Sequence, residues 1–311
     1  MATFAIYTYQ FEQIKSSSAR ELEFENFPSA CCSNEDWEKR QEIFREFFQK
    51  DLPLENRTFE NGRSTYVYDT IFNEGHIAIM KFGRFSKKSV SDIKLNDHQI
   101  QDYPWCYIIW DNRDGIQRML IEHKTSAWSN SKTMTGTKKA AKAVCMIIDK
   151  WLSTKKGMHI SYGDGPVFKS DDFWEHLKRY PQGFSRVCFS FPPPNLGRLL
   201  NLADNIVGIR QETGGGFDAD IKAPKGNALI LSKDNPQTNS LVELSSASGK
   251  EIKAYTKGGH TMIRISGDNL GNDVCVEVPD ALIPVLTSKT LFGKDDFSHF
   301  VEILNSVKNV Y

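Results

Sequence analysis

The chain has 311 residues, of which 40% are hydrophobic and 12% aromatic, so it can bury a substantial core in one large domain or two ordinary ones. Its 39 Lys and Arg residues balance its 39 Asp and Glu residues, which excludes a global attraction to nucleic acid or to anionic membranes. Any such affinity must therefore be local.

Targeting and cysteine patterns point to an ordinary cytoplasmic protein. The apolar runs are too short to cross a membrane, and the N-terminus lacks the basic and apolar regions of a signal peptide, so we expect no membrane partner. The six cysteines are spread singly apart from the adjacent Cys31 and Cys32, which favours reduced, buried thiols over a disulfide scaffold. No His or Cys spacing is typical of a zinc site, and no cofactor is predicted from these residues.

The N-terminal half alternates between strand and helix patterns. The apolar run from Trp105 to Trp110, the polar turn over 111–115 and the return over 116–124 predict a β-hairpin, because Gly115 supplies the positive φ that such turns need. Apolar residues at helical spacing predict a helix over 137–152. The same rules predict strands over 2–11, 65–72 and 75–85 and a helix over 33–50.

The C-terminal half begins at Gly157, where we predict a domain boundary that divides the chain into residues 1–156 and 157–311. Strands and helices alternate at first, and from residue 217 the pattern is mainly that of β-strands until a C-terminal helix over 294–310. The predicted helices are 170–180 and 196–206, and the predicted strands are 158–162, 184–191, 217–223, 228–231, 250–256, 261–266 and 274–278. The fold class is therefore mixed α+β, with two sheet-based halves and packed helices.

One carboxylate and lysine pattern suggests catalysis. Glu122 and Lys124 lie two residues apart at the end of a predicted strand, so they point to the same face, and Asp111 or Asp114 lies on the preceding segment. This resembles the outline of the active site of PD-(D/E)xK nucleases. In that arrangement the carboxylates hold Mg²⁺ and the lysine stabilises charge on the phosphate. The alternative is an exposed charge pair, with Asp111 serving the turn.

A local basic patch suggests phosphate binding. Between residues 113 and 142 there are seven Lys and Arg residues against two acidic ones, an excess of five positive charges. Three of the lysines occupy the first turns of the predicted helix, where the helix dipole disfavours cations, so an anion would stabilise them. The patch consists of Arg113, Arg118, Lys124, Lys132, Lys138, Lys139 and Lys142. The alternative is a solvated, charged start of a helix.

A second segment interleaves aromatic and basic residues. Between residues 81 and 88, Phe82 and Phe85 stand among the cations Lys81, Arg84, Lys87 and Lys88. Rings that stack on bases and cations that meet phosphates are typical of single-strand binding. The alternative is an edge strand that carries protective lysines.

These observations lead to one main hypothesis and two alternatives. The main hypothesis is a non-catalytic or accessory nucleic-acid-binding protein, for DNA or RNA, and bacterial defence is a setting that fits a chain without metabolic motifs. The alternatives are a Mg²⁺-dependent nuclease and a protein-interaction module that contacts a partner subunit. The sequence leaves open whether the chain is an enzyme.

Overall fold

The computed structural model describes residues 1–13, 34–61, 64–91, 93, 97–113, 116–124, 136–191, 217–257, 261–267, 274–287 and 294–306. These residues form helices and antiparallel sheets, which confirms the predicted α+β fold class. The helices are α1 Asn34–Phe47, α2 Leu54–Arg57, α3 Gly136–Lys156, α4 Ser170–Leu177, α5 Pro236–Ser248, α6 Leu282–Thr287 and α7 Lys294–Ser306.

The strands belong to three sheets. Eight strands form the main sheet, four form a second sheet, and β5 and β6 pair with each other as a two-stranded ribbon. The strands are β1 Ala2–Gln13, β2 Thr58–Asn61, β3 Ser64–Glu74, β4 Ile77–Arg84, β5 Ser86–Ser91, β6 Asp97–Asp102, β7 Trp105–Asp111, β8 Arg118–Glu122, β9 Met158–Tyr162, β10 Phe184–Phe191, β11 Phe217–Lys222, β12 Ile252–Thr256, β13 Met262–Ile265 and β14 Cys275–Val278.

The main sheet is built around β1 and has the order β14-β1-β8-β7-β4-β3-β2. The long β1 pairs with β14 through its first residues and with β9 through its last ones. Residues on both sides of position 157 therefore share one sheet. The strands β9 and β14, which follow that position, join the strands of the N-terminal half. The domain boundary itself stays a prediction.

Both faces of the main sheet are covered because its strands alternate apolar residues toward two helical layers. On one face, Phe44 of α1 and Val144 of α3 pack against Tyr7, Trp110 and other strand residues. On the opposite face, residues of α6 and α7 pack against a second set of strand residues that includes Ile79. The core of this half is thus a helix, sheet, helix sandwich.

The second sheet has the order β11-β10-β12-β13 and is covered on one face by α4 and α5. Alternation directs Val187, Phe189 and Ile252 toward these helices, with Phe173 of α4 and Val242 of α5 among their neighbours. The opposite face carries polar residues. This sheet has a covered side and an open side among the described residues.

Several expectations need correction. Residues 228–231 form an isolated bridge between Leu229 and Phe184 rather than a strand, and the helix α5 interrupts a stretch predicted to be mainly β. Asn235 caps α5 by accepting a hydrogen bond from the Thr238 amide at 3.0 Å, and Gly249 ends it with a φ of 64°. The strand β4 is also not an edge strand, since it lies between β3 and β7. The predicted helix over 196–206 lies outside the described residues.

No helix within the described ranges combines the length and the apolar character needed to cross a membrane.

Candidate anion-binding site

The hairpin of β7 and β8 is confirmed, and its carboxylate Asp111 is buried rather than presented in a turn. Asp111 is the last residue of β7, stands opposite Arg118 and has no exposed surface. Arg113 donates to it through Nε and Nη2, each at 2.7 Å, and Arg118 donates through Nε and Nη2 at 3.3 and 3.2 Å. The carboxylate therefore stabilises two guanidinium groups inside the fold.

The same two arginines join the hairpin to the C-terminal helix. Arg118 donates to the Leu304 carbonyl at 2.6 Å, and Arg113 donates to the Asn305 side chain at 3.1 Å. Positive charge near the carbonyl end of a helix is favourable because it compensates the helix dipole. Arg113 and Arg118 of the predicted basic patch thus hold the end of α7.

Glu122 and Lys124 lie at the other end of the hairpin. Glu122 accepts a hydrogen bond from the Tyr107 amide at 2.9 Å, whereas Asp111 pairs with Arg118, four positions before Glu122 on β8. Four residues of a strand span roughly 13 Å, so the structure does not bring these two carboxylates together. Asp114 lies outside the described residues. Among the described residues, no group of three or more His, Cys, Asp or Glu side chains is placed to hold a metal ion.

Two predicted lysines flank one tryptophan. The Nζ atoms of Lys124 and Lys81 lie 3.6 and 4.9 Å from the centre of a Trp105 ring, in the geometry of cation–π contacts. Trp105 lies two residues before Tyr107 on β7 and so shares its face of the sheet, and Tyr107 packs against the cluster that includes α6 and α7. These lysines therefore lie on the face of the main sheet opposite α3.

The remaining cations of the aromatic and basic segment are dispersed. Arg84 is the last residue of β4, and Lys87 is exposed on the ribbon strand β5. The Lys88 side chain and Lys132 lie outside what the structure describes. The structure therefore does not gather this segment with the helix lysines.

Lys138 and Lys142, in contrast, line a cleft with cations from a distant part of the chain. The cleft has a volume of about 340 Å³ and lies between the start of α3, the end of β9 and the strands β12 and β13. Lys139 is half-buried and does not line it. The charged lining residues are Lys138, Lys142, Asp164, Glu251, Lys253 and Arg264.

Hydrogen bonds fix the walls of the cleft. The Tyr7 and Thr137 hydroxyls lie 3.0 Å apart and tie the start of α3 to β1. The Gly163 amide donates to the Thr8 carbonyl at 3.0 Å, which holds the loop after β9 beside the same strand. That loop also meets the end of α5 closely, since a Cβ atom on Gly249 would lie 2.5 Å from the Gly165 carbonyl oxygen. The cleft is thus a defined junction between the two larger sheets.

The two carboxylates of the cleft each have a cationic neighbour. Lys250 Nζ lies 3.9 Å from Asp164, and Arg264 lies 3.5 Å from Glu251. Lys142 and Lys253 form no ion pair with any residue that the structure describes. Four cations against two carboxylates leave a local excess of two positive charges in the cleft.

Tyr162 lines the cleft without adding negative charge. Burial and, to a smaller extent, the neighbouring Cys145, Asp164 and Asp149 together raise the pKa of its phenol to about 12. The hydroxyl therefore stays protonated at neutral pH. Tyr162 thus leaves the balance of four cations against two carboxylates in the cleft unchanged.

Sequence reasoning found Lys138 and Lys142 but missed Lys253 and Arg264. These residues stand directly opposite each other on β12 and β13, more than 100 positions after Lys138 and Lys142. The alternation of β12 gave a partial signal, because Lys253 and Tyr255 are two residues apart and share a face. No protein-family model matches the chain, and neither a curated protein nor a solved structure matches it.

Proposed function

We propose that the chain is a nucleic-acid-binding protein whose phosphate contacts lie in the cleft between α3 and the strands β12 and β13. The observation that supports this proposal is the convergence of four cations on a single cavity in a chain whose net charge is zero. Phosphate groups suit such a cluster, because cations that neutralise them release condensed counterions from the nucleic acid.

The position of the lysines on α3 strengthens the case for an anion. Lys138 and Lys142 lie in the first two turns of a helix that has no acidic residue in its first turn. The dipole at this end disfavours cations, so a bound phosphate relieves the unfavourable interaction between the lysines and the helix dipole. The volume of about 340 Å³ is at the small end of the range for ligand sites, so the bound group is compact.

Charge reversal tests the proposal. We expect Lys142→Glu combined with Lys253→Glu to weaken binding of a labelled oligonucleotide by roughly tenfold or more, because a charge-assisted hydrogen bond contributes about 1.5–3 kcal/mol. The slope of affinity against salt should fall by about one for each lost phosphate contact. Lys155→Glu is the matched control for the single variant Lys142→Glu, since Lys155 is exposed in the last turn of the same helix.

The outcome is read by fluorescence anisotropy on variants whose folding is verified by circular dichroism. Unchanged affinity in the double variant contradicts the proposal. A loss in Lys155→Glu as large as the loss in Lys142→Glu also contradicts it, because the effect would then come from net charge and not from the cleft.

A further inference from the structure

We propose that the bound nucleic acid is single-stranded and runs from the cleft along β12 and β13 on the open face of the second sheet, where Tyr255 stacks on a base. This inference rests on the proposed function and names the class of nucleic acid. It starts from the observation that α4 and α5 cover only one side of that sheet among the described residues.

Alternation along the strands defines what the open face presents. Ile252 and Ala254 point into the core, so Lys253 and Tyr255 point to the opposite side. On the neighbouring strands, Arg186 and Arg264 share that side, with side chains 43% and 59% exposed. The open face is thus accessible and carries several cations around one aromatic ring.

The face continues directly from the cleft. Lys253 and Arg264 line the cavity and also stand opposite each other on the sheet, and Tyr255 is the next residue of β12 on the same side. A phosphate in the cleft therefore places the following nucleotide beside the Tyr255 ring. Both contacts belong to one short path along the same strand.

The surroundings of the Tyr255 ring are typical of a site where a base stacks, not of a buried core position. The ring is half-exposed, and the Arg186 guanidinium carbon lies 5.3 Å from its centre. Arg186 is held in place by Asp220, which accepts from its Nε at 2.7 Å. An aromatic ring beside an ordered guanidinium on an open sheet is a typical platform for an unstacked base.

The charges on the open face also indicate the direction in which the bound nucleic acid runs. Asp218 and Asp220 lie on β11, and Asp220 pairs with both Arg186 and Lys222. These carboxylates repel phosphates at that edge. The path therefore follows β12 and β13. Stacking on Tyr255 requires an unpaired base, which a duplex does not offer.

The test compares one labelled oligonucleotide in three forms: single strand, duplex, and a single strand with abasic sites. We expect the intact single strand to bind the wild-type chain about tenfold more tightly than the abasic strand, since stacking of one base on an aromatic side chain contributes about this factor. Tyr255→Ala should lose a similar factor for the intact strand, and Tyr255→Phe should retain affinity. Tyr103→Ala is the control, because Tyr103 is 44% exposed away from this sheet.

Equal binding of intact and abasic strands overturns the inference even if Tyr255→Ala does not fold. Duplex binding at least as tight as single-strand binding also overturns it. If that duplex binding still depends on Lys142 and Lys253, the proposed function stands without this inference. If neither form binds, both fail.

Discussion

Replacing Asp111 by alanine is expected to destabilise the fold by about 3–5 kcal/mol, because it leaves two buried or nearly buried guanidinium groups without their counter-charge. The Arg113 and Arg118 side chains are only 18% and 7% exposed, and Asp111 accepts four of their hydrogen bonds. A loss of this size is a large part of the usual stability of a protein. Equilibrium unfolding in guanidinium chloride measures it.

The matched control is Asp69→Ala. Asp69 also pairs with an arginine, Arg57, but its side chain is 42% exposed, so its loss should cost about 1 kcal/mol or less. A further variant separates charge from packing. Replacing Asp111, Arg113 and Arg118 together by apolar residues of similar size should recover much of the loss, since no unpaired charge remains. If Asp111→Ala costs no more than Asp69→Ala, the structural role assigned to the buried carboxylate is refuted.

Two further predictions concern a tight backbone contact and the response to pH. Gly249→Ala should destabilise the fold by about 1–3 kcal/mol more than Gly157→Ala does. Both residues have positive φ, but only at Gly249 would the new Cβ meet a backbone oxygen, at 2.5 Å. Equal losses of stability in the two variants would contradict this contact. Burial lowers the pKa of His176, aided by Arg179, and of His123. The unfolded chain therefore binds these protons first, and the free energy of unfolding should fall as pH drops below about 6.5. Urea titrations at several pH values should show a smaller fall in the free energy of unfolding when both histidines are replaced by glutamine. An unchanged fall would refute the role assigned to the histidines.

Local patterns predicted much of the fold. The hairpin of β7 and β8 and the helix α3 were found because apolar spacing and turn residues act over a few positions. The pairing of β1 with β14 could not be predicted, because it joins Ala2 to Val278 and no feature of a single sequence specifies that register. The helix α5 was missed because its serine-rich sequence has a weak apolar stripe. Its caps, Asn235 with Pro236 at the start and Gly249 at the end, were the available signal.

The site was predicted in part for the same reason. Lys138 and Lys142 stood out because they oppose the helix dipole locally, whereas Lys253 and Arg264 reach the same cleft only through tertiary packing. Charge counting along the chain also included Arg113 and Arg118, although Asp111 holds both inside the fold. A count of charges does not show which of them are buried.

The measurement that tests the account most directly is the binding of labelled single-stranded and duplex oligonucleotides across a salt series, with and without Mg²⁺. We predict binding of the single strand that weakens steeply with salt, with a slope near −3 if all four cations of the cleft contact phosphates. A shortened product that appears only with Mg²⁺ would support the nuclease alternative, and Glu122→Ala would test it. Undetectable binding of both oligonucleotides at low salt would contradict the account and leave the protein-interaction module.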